Sequence, residues 1–513
     1  MMIEALIAVC LVGAAAAFLA PDRYAGRLAF GVSLLPLIGS LFMYSQFDAS
    51  GNALLASSEN VAFYTRTTWI EVGELFRLDW HVGLDGISMP LLALTTILTS
   101  LAIVSAWTPI DERQSQFYGL VLFMEAALIG VFSALDFFVW FVFWEAVLIP
   151  MYFLIGVWGG PRRKYAAIKF FVYTNIASLV MFIGYVALVI GLGVDTFDMA
   201  DVAQALVVDG AAPSAFPGVS AGALKTAVFF AMFAGFAVKV PVVPVHTWLP
   251  DAHVEAPTPV SVLLAGVLLK MGTYALLRFN FTMLADVAAE FAWLLAGLAV
   301  VSVIYGAMLA LAQQDLKRIV AYSSVSSMGY VILGLVAYTV YGVGGATFQM
   351  VSHGLISGLM FMAVGVIYNT THTRMVTDMS GLADRMPITT GIFLAGAFGY
   401  MGLPLMSGFA AEFYVFAGAF GATESIGTFA PVFTALAMFG IVIVAGYLLF
   451  AMQRTLFGPF SLETDYEVTR APFHDVAPLF ALLGLVILLG VAPEIAFEMI
   501  RDAVGAIPAV GGA

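Results

Sequence analysis

Fourteen apolar runs, each long enough to enter a bilayer, govern what this chain can fold into. They lie near 3–20, 28–47, 85–107, 117–134, 137–157, 166–193, 223–249, 258–279, 287–311, 319–339, 344–368, 388–420, 430–453 and 476–499. In hydrocarbon every peptide N–H and C=O must be satisfied within the segment, so apolar runs of this length become helices. With 62% apolar and 10% charged residues over 513 positions, the expected fold is an all-α polytopic membrane protein. The single cysteine, Cys10, excludes an internal disulfide, a Cys-ligated iron–sulfur cluster and a CxxC redox motif. Phosphate loops of the GxxxxGKS type are absent, and no basic run is long enough to grip nucleic acid. ATP hydrolysis and electron carriage have no obvious seat in the chain.

The loop charges orient the spans. One set of connections holds Arg23, Arg27, Arg113, Arg162, Arg163, Lys164, Lys317, Arg318, Arg374, Arg385, Arg454 and Arg470. The alternate set keeps Arg66, Arg77, Lys225 and Arg278 and collects Asp195, Asp198, Asp201 and Asp209. The first set is expected inside and both termini outside, on the periplasmic side of a bacterial inner membrane. Glu4 precedes the first apolar run and its arginines follow it, the reverse of a signal peptide, so the run reads as an uncleaved first helix.

Two runs are too long and too interrupted for plain helices. One breaks at Lys239-Val-Pro241 and the other near Gly402-Leu-Pro404. Each is the fourth span of a five-span set, and an odd number of spans per set makes the second copy inverted relative to the first. The expected organisation is a three-helix segment with an outside loop (1–116), a first repeat (117–280), an inverted second repeat (281–456), and an inside loop with a last helix (457–513).

Ionisable residues inside these spans carry the functional argument. A lysine at mid-bilayer costs roughly 2.5–3.5 kcal/mol even on lenient scales. Lys239 adjoins the first break, with Pro241 and Pro244 just after it, and Lys270 lies in LLAGVLLKMGTYALL with no acid on its own helix. Such lysines suit a proton path. Glu145, in FVFWEAVLIP, matches Lys239 in depth and is expected to pair with it, as a switch or as a static ion pair. Glu412 follows the second break as a terminal proton site or a helix-end carboxylate. His246, in the first break, and His353, in the span before the second, read as relays or as packing residues; their positions on different, irregular helices do not suit haem. Glu125 reads as a contact to a neighbouring subunit and Asp136 as a surface residue. Ser323, Ser324, Ser326 and Ser327 either support a water chain or allow close packing.

The stretch VKVPVVPVHTWLPDAHVEAPTPVSVLLAGVLLKMGTYALLR, together with LAQQDLKRIVAYSSVSSMGYVILG, resembles the antiporter-like subunits of proton-translocating NADH:quinone oxidoreductase (respiratory complex I), a family shared with multisubunit cation/proton antiporters. Glu412 resembles the chain M (mitochondrial chain 4) type, whose siblings usually have lysine there, and the sequence ends without the long lateral helix of the chain L type. The resemblance implies a subunit of a proton-translocating oxidoreductase with no redox centre of its own. Quinone, FMN and iron–sulfur clusters are then expected in other subunits, and the partners are other membrane-arm subunits, homologous ones among them. It also implies roles: Glu145 and Lys239 as a modulating pair, Lys270 as central proton carrier, His353 on the connecting axis and Glu412 at the exit. Ser327 stands where many relatives have histidine, and a hydroxyl passes a proton but cannot hold one at neutral pH. The rival reading is a subunit of a Na⁺/H⁺ exchanger, and a blander one is a scaffold with fossil ion pairs.

Overall fold

A computed structural model describes residues 1–513 apart from 56–60, 74–75, 215 and 512–513. The spanning helices are α1 (Met2–Leu19), α2 (Asp22–Ser45), α3 (Ser88–Ser105), α4 (Gln114–Ser133), α5 (Phe137–Trp158), α6 (Arg163–Leu192) and α7 (Ala221–Lys239). After the short α8 (Trp248–Glu255) come α9 (Thr258–Met283), α10 (Ala292–Leu311), α11 (Leu316–Val336) and α12 (Val340–Thr371). Two helices of 14 residues, α13 (Pro387–Tyr400) and α14 (Ser407–Phe420), precede α15 (Ala430–Leu456), α16 (Phe473–Val491) and the amphipathic α17 (Glu494–Gly505). Among the described residues thirteen helices are long and apolar enough to cross a membrane, and α13 with α14 covers the remaining expected span. The all-helical membrane fold expected from the apolar runs is the one observed.

Burial grades the helices by role. The apolar windows of α9 and α12 are 100% buried and that of α11 is 94% buried, whereas those of α2 and α16 are 28% and 33% buried. The helices bearing Lys270 and His353 therefore form the centre, and α2 and α16 face outward. Close approach at the centre needs a missing side chain: a Cβ on Gly354, beside His353, would lie 2.8 Å from the carbonyl oxygen of Gly266 on α9.

Both breaks fall where the prolines place them. α7 ends at Lys239, because Pro241 and Pro244 have no N–H to continue the ladder. The freed groups find local partners: Trp248 Nε1 donates to the Val238 carbonyl at 2.8 Å, and Val243 N donates to Ser302 Oγ at 3.2 Å. The second break, between Tyr400 and Ser407, contains Pro404 and left-handed Gly402 and Leu405.

Four expectations change. The loop after α2 holds an antiparallel hairpin, β1 (Ala62–Val72) with β2 (Phe76–Leu84), in register Thr67 opposite Trp80. Asp136 is not a surface residue: it is fully buried at the N-terminus of α5, accepting from Phe138 N (2.9 Å), Val139 N (3.2 Å) and, from the hairpin, Asp79 N (3.1 Å). Glu125 is buried within the chain, facing Cys10 of α1, instead of meeting another subunit. The last span stops at Val491, because Pro493 interrupts the helix before α17 begins.

Burial, opposed by the three backbone donors and reinforced by Asp198 nearby, pushes the Asp136 carboxyl up to about 6. The native state then holds a proton that the unfolded chain releases near pH 4, so this group's stabilisation is present at low pH and declines as pH rises to about 6. The expected decline is on the order of 2–3 kcal/mol. Asp136→Asn keeps the cap oxygen and should flatten that slope in thermal-unfolding curves between pH 4 and 7; an unchanged slope would refute the assignment.

Candidate proton path

The first half of the candidate path lies where α5, α7 and α9 converge. Lys239 ends α7 with 2% exposure, and its Nζ has no hydrogen-bond partner. Its ammonium sits over the ring of Trp144, 4.6 Å from the centroid. Glu145, the next residue on α5, is half-buried; its Oε2 accepts from Asn175 Nδ2 at 3.3 Å and its Oε1 is unpartnered. The direct Glu145–Lys239 ion pair expected from the sequence is therefore not formed: the carboxylate is turned to Asn175 of α6 and the ammonium to an aromatic face. One carboxylate oxygen and the ammonium are left without hydrogen-bond partners, and the two groups lie within electrostatic reach of each other.

Lys270 departs from expectation in the other direction. Its Nζ lies 2.7 Å from His353 Nδ1 and donates to the Ala265 carbonyl at 2.6 Å. The carbonyl is available because α9 widens into a π-turn over Leu264–Leu268. Lysine and histidine were treated as separate sites in the sequence, yet they share one hydrogen bond. A proton leaving Nζ has an acceptor at Nδ1, and the imidazole can release one from Nε2, which is buried and unpartnered.

His353 faces Tyr400, ring centroids 5.7 Å apart, and Tyr400 lies at the end of α13 where the second break starts. Beyond it, Tyr447 donates to Ser323 Oγ at 2.6 Å, and Tyr330 and Tyr447 both lie within electrostatic reach of Glu412. The hydroxyls of Tyr400 and Tyr330 and the Oε2 of Glu412 are buried without partners. Glu412 fits its place because Gly402 has φ +62° and no side chain; a Cβ there would overlap Glu412 Oε2. Ser327 is one turn from Tyr330 on α11, so tyrosine and serine hydroxyls line this interval. The serines serve both expected ends: Ser326 bonds back to the Val303 carbonyl at 2.9 Å in close helix packing, while Ser323 joins the hydroxyl row.

On the face bearing the basic loops, a cavity of about 520 Å³ opens beside Glu255, Asp315, Lys317 and Arg374. Lys317, counted as a loop charge in the sequence, is 5% exposed and donates to the Ala256 carbonyl. His253, on α8, is fully buried and stacked on Phe361 at 4.5 Å; both ring nitrogens lack partners, and it lies within electrostatic reach of Lys317 and Lys270. Sequence reading missed His253, because PDAH between two prolines reads as a surface loop. It missed the tyrosines because single aromatics in apolar runs read as packing. His246 is not brought to either membrane lysine: it lies against Tyr305 and Tyr322, toward the Lys169–Asp251–Arg318 cluster.

Buried polar atoms without partners are rare in folded proteins, and where they occur in a row they mark space for water. His253, His353 Nε2, Tyr400, Tyr330 and Glu412 Oε2 contribute such atoms across the centre of the molecule, with the hydrogen-bonded ammonium groups of Lys317 and Lys270 beside them.

Comparison with known proteins bears on the family and the fold. The family described as NADH:quinone oxidoreductase/Mrp antiporter, TM, matches residues 134–438. The F(420)H(2) dehydrogenase subunit M of Methanosarcina mazei is 39% identical over 502 residues, 96% of this chain and 95% of the relative. The NADH-quinone oxidoreductase subunit M of Rhodobacter capsulatus is 38% identical over 488 residues, 94% of this chain and 90% of the relative. A chain of the respiratory complex I of Thermus thermophilus, solved with bound NADH, superposes with a TM-score of 0.83 at 26% identity, covering 99% of both chains. The two broken helices, the buried Lys239 and Lys270, and these likenesses over nearly the whole length place the chain in the family of antiporter-like membrane subunits of NADH:quinone oxidoreductases and Mrp antiporters.

Proposed function

We propose that the chain is a proton-translocating membrane-arm subunit of a respiratory NADH:quinone oxidoreductase in a bacterial inner membrane. In this reading the basic loops face the cytoplasm, both termini face the periplasm, and flavin, iron–sulfur clusters and quinone are held by other subunits. The observation that carries the proposal is the Lys270–His353 hydrogen bond, placed between the open Glu145–Lys239 pair and the unpartnered Glu412 carboxyl.

The residues divide the work. A proton taken up from the cavity beside Lys317 reaches Lys270 through His253, and His353 accepts it at Nδ1 and releases one at Nε2. Hydrated hydroxyls of Tyr400, Tyr447 and Tyr330 carry it to Glu412. Glu145 modulates Lys239: moving the carboxylate toward or away from the ammonium changes how firmly Lys239 holds its proton, and thereby the charge that Lys270 faces. Homologous membrane subunits on either side would deliver the displacement of Glu145. Moving one charge against the membrane potential requires about 2.3 kcal/mol per 100 mV, which the redox reaction elsewhere in the complex must supply.

Lys239→Ala in membrane vesicles, with NADH-driven quinone reduction and acidification followed together, tests the reading. Loss of both places Lys239 on an obligatorily coupled path, and loss of acidification alone makes pumping separable from electron transfer. If neither changes, Lys239 is structural and the proposal fails. The second reading, a Na⁺/H⁺ exchanger subunit, is favoured by the family's Mrp members alone; a vesicle gradient set by Na⁺ in place of electron donor would support it.

A further inference from the structure

A groove of about 710 Å³ opens between the first turns of α13 and α16, on the face of the basic loops and away from the proton path. Arg385 and Arg470 stand in its wall. Neither forms an ion pair with a carboxylate among the described residues, and Arg385 rests over the Phe460 ring, 4.8 Å from its centroid. Asp475, the acid in the first turn of α16, is turned away to Thr108 Oγ1 at 2.8 Å. The two helices begin here at Pro387 and Phe473, and neither N-terminus has a side-chain cap. Their orphan N–H groups add partial positive charge to that of the arginines.

The rest of the wall is apolar. Ile388, Phe473 and Phe480 are 45%, 85% and 54% exposed, and Pro472 and Val476 lie between them. From Phe473 to Phe480 the wall follows α16 for ~10 Å along the helix axis. Cationic groups at the mouth and an apolar wall running along a membrane helix match one chemistry: a phosphate head joined to acyl chains. A soluble anion would use only the mouth, and a zwitterionic lipid would leave the second guanidinium without a counter-charge.

We propose that this groove is a binding site for an anionic phospholipid, with its phosphate between Arg385 and Arg470 and its acyl chains along Ile388, Phe473 and Phe480. The occupant bridges α13, which leads into the second break, and α16, the last span. It thereby fixes α13 from the lipid side. This assignment does not depend on the proton path.

The test uses the intact complex, purified in detergent and stripped of lipid, titrated with cardiolipin and, separately, with phosphatidylcholine. Cardiolipin is expected to bind and phosphatidylcholine to bind at least tenfold more weakly. Arg385→Gln with Arg470→Gln should weaken cardiolipin about thirtyfold, the effect of two lost cationic contacts near a membrane surface. Arg385→Lys with Arg470→Lys, which keeps both charges, should recover binding to within roughly threefold and so separates lost electrostatics from lost folding. Unchanged cardiolipin binding in the glutamine variant, failure of the lysine variant to recover it, or equal binding of phosphatidylcholine would overturn the proposal. So would displacement of cardiolipin by millimolar inorganic phosphate, or a photo-crosslinker at Phe473 that captures another subunit instead of lipid.

Discussion

Lys270→Met is expected to cut proton translocation by ~100-fold or more while the complex still assembles. The substitution keeps the length and apolar stem of the side chain and removes a charge from the most buried helix pair, so the fold is relieved of roughly 2.5–3.5 kcal/mol of burial cost. What disappears is the donor 2.7 Å from His353 Nδ1, and with it a direct hydrogen bond between α9 and α12. Removing His353 as well should add little, because the two act as a unit. Vesicle acidification and quinone reduction, measured on membranes with normal subunit content, decide the matter. Undiminished acidification would leave only the scaffold reading.

Arg278→Met should have the largest effect on stability, on the order of 3–5 kcal/mol. Arg278 was expected in a loop, but α9 continues past it to Met283 and buries it to 1% exposure. Its guanidinium donates to Asp85 Oδ1 at 2.5 Å and Asn52 Oδ1 at 3.1 Å, and lies 4.9 Å over the Tyr274 ring. Asp85 in turn holds the N–H groups of Ala53, Ile87 and Ser88 and so shapes the start of α3. The methionine variant leaves Asp85 charged and uncompensated. Adding Asp85→Asn should restore most of the loss, since the buried charge goes while the backbone acceptor stays. A lowered unfolding temperature in the single variant, with recovery in the double, is the expected pattern; additive losses would show that the pair is not coupled.

Spans and breaks were legible because bilayer length and proline chemistry act locally: twenty apolar residues or a missing N–H have the same consequence in any fold. The membrane lysines and Glu412 were legible for the same reason, since a charge in an apolar run is costly wherever it lies. Relations between helices were not. The Lys270–His353 hydrogen bond joins residues 83 apart and depends on a π-turn and on the absent side chain of Gly354, neither of which a hydropathy pattern carries. The polar flanks of Lys317 read as a loop, and His253 carries no signal of its own between two prolines, yet both are buried around the short α8. The β1 sequence AFYTRTTWIEV, rich in β-branched and aromatic residues, held a strand signal that a search for apolar runs passes over.

One buried carboxylate gives the hairpin a mechanical role. Because Asp136 caps the first turn of α5 and also holds the Asp79 amide of β2, strand and helix cannot move apart without breaking the hydrogen bond between Asp79 and Asp136 or the cap itself. Glu145 lies nine residues farther along α5, ~13 Å of stiff rod from that joint. A displacement of the hairpin at Asp79 would therefore be carried along α5 toward the carboxylate beside Lys239. In the proposed function, such a joint would let the Glu145–Lys239 pair be addressed from the surface, with no ligand and no ion entering the bilayer to do it.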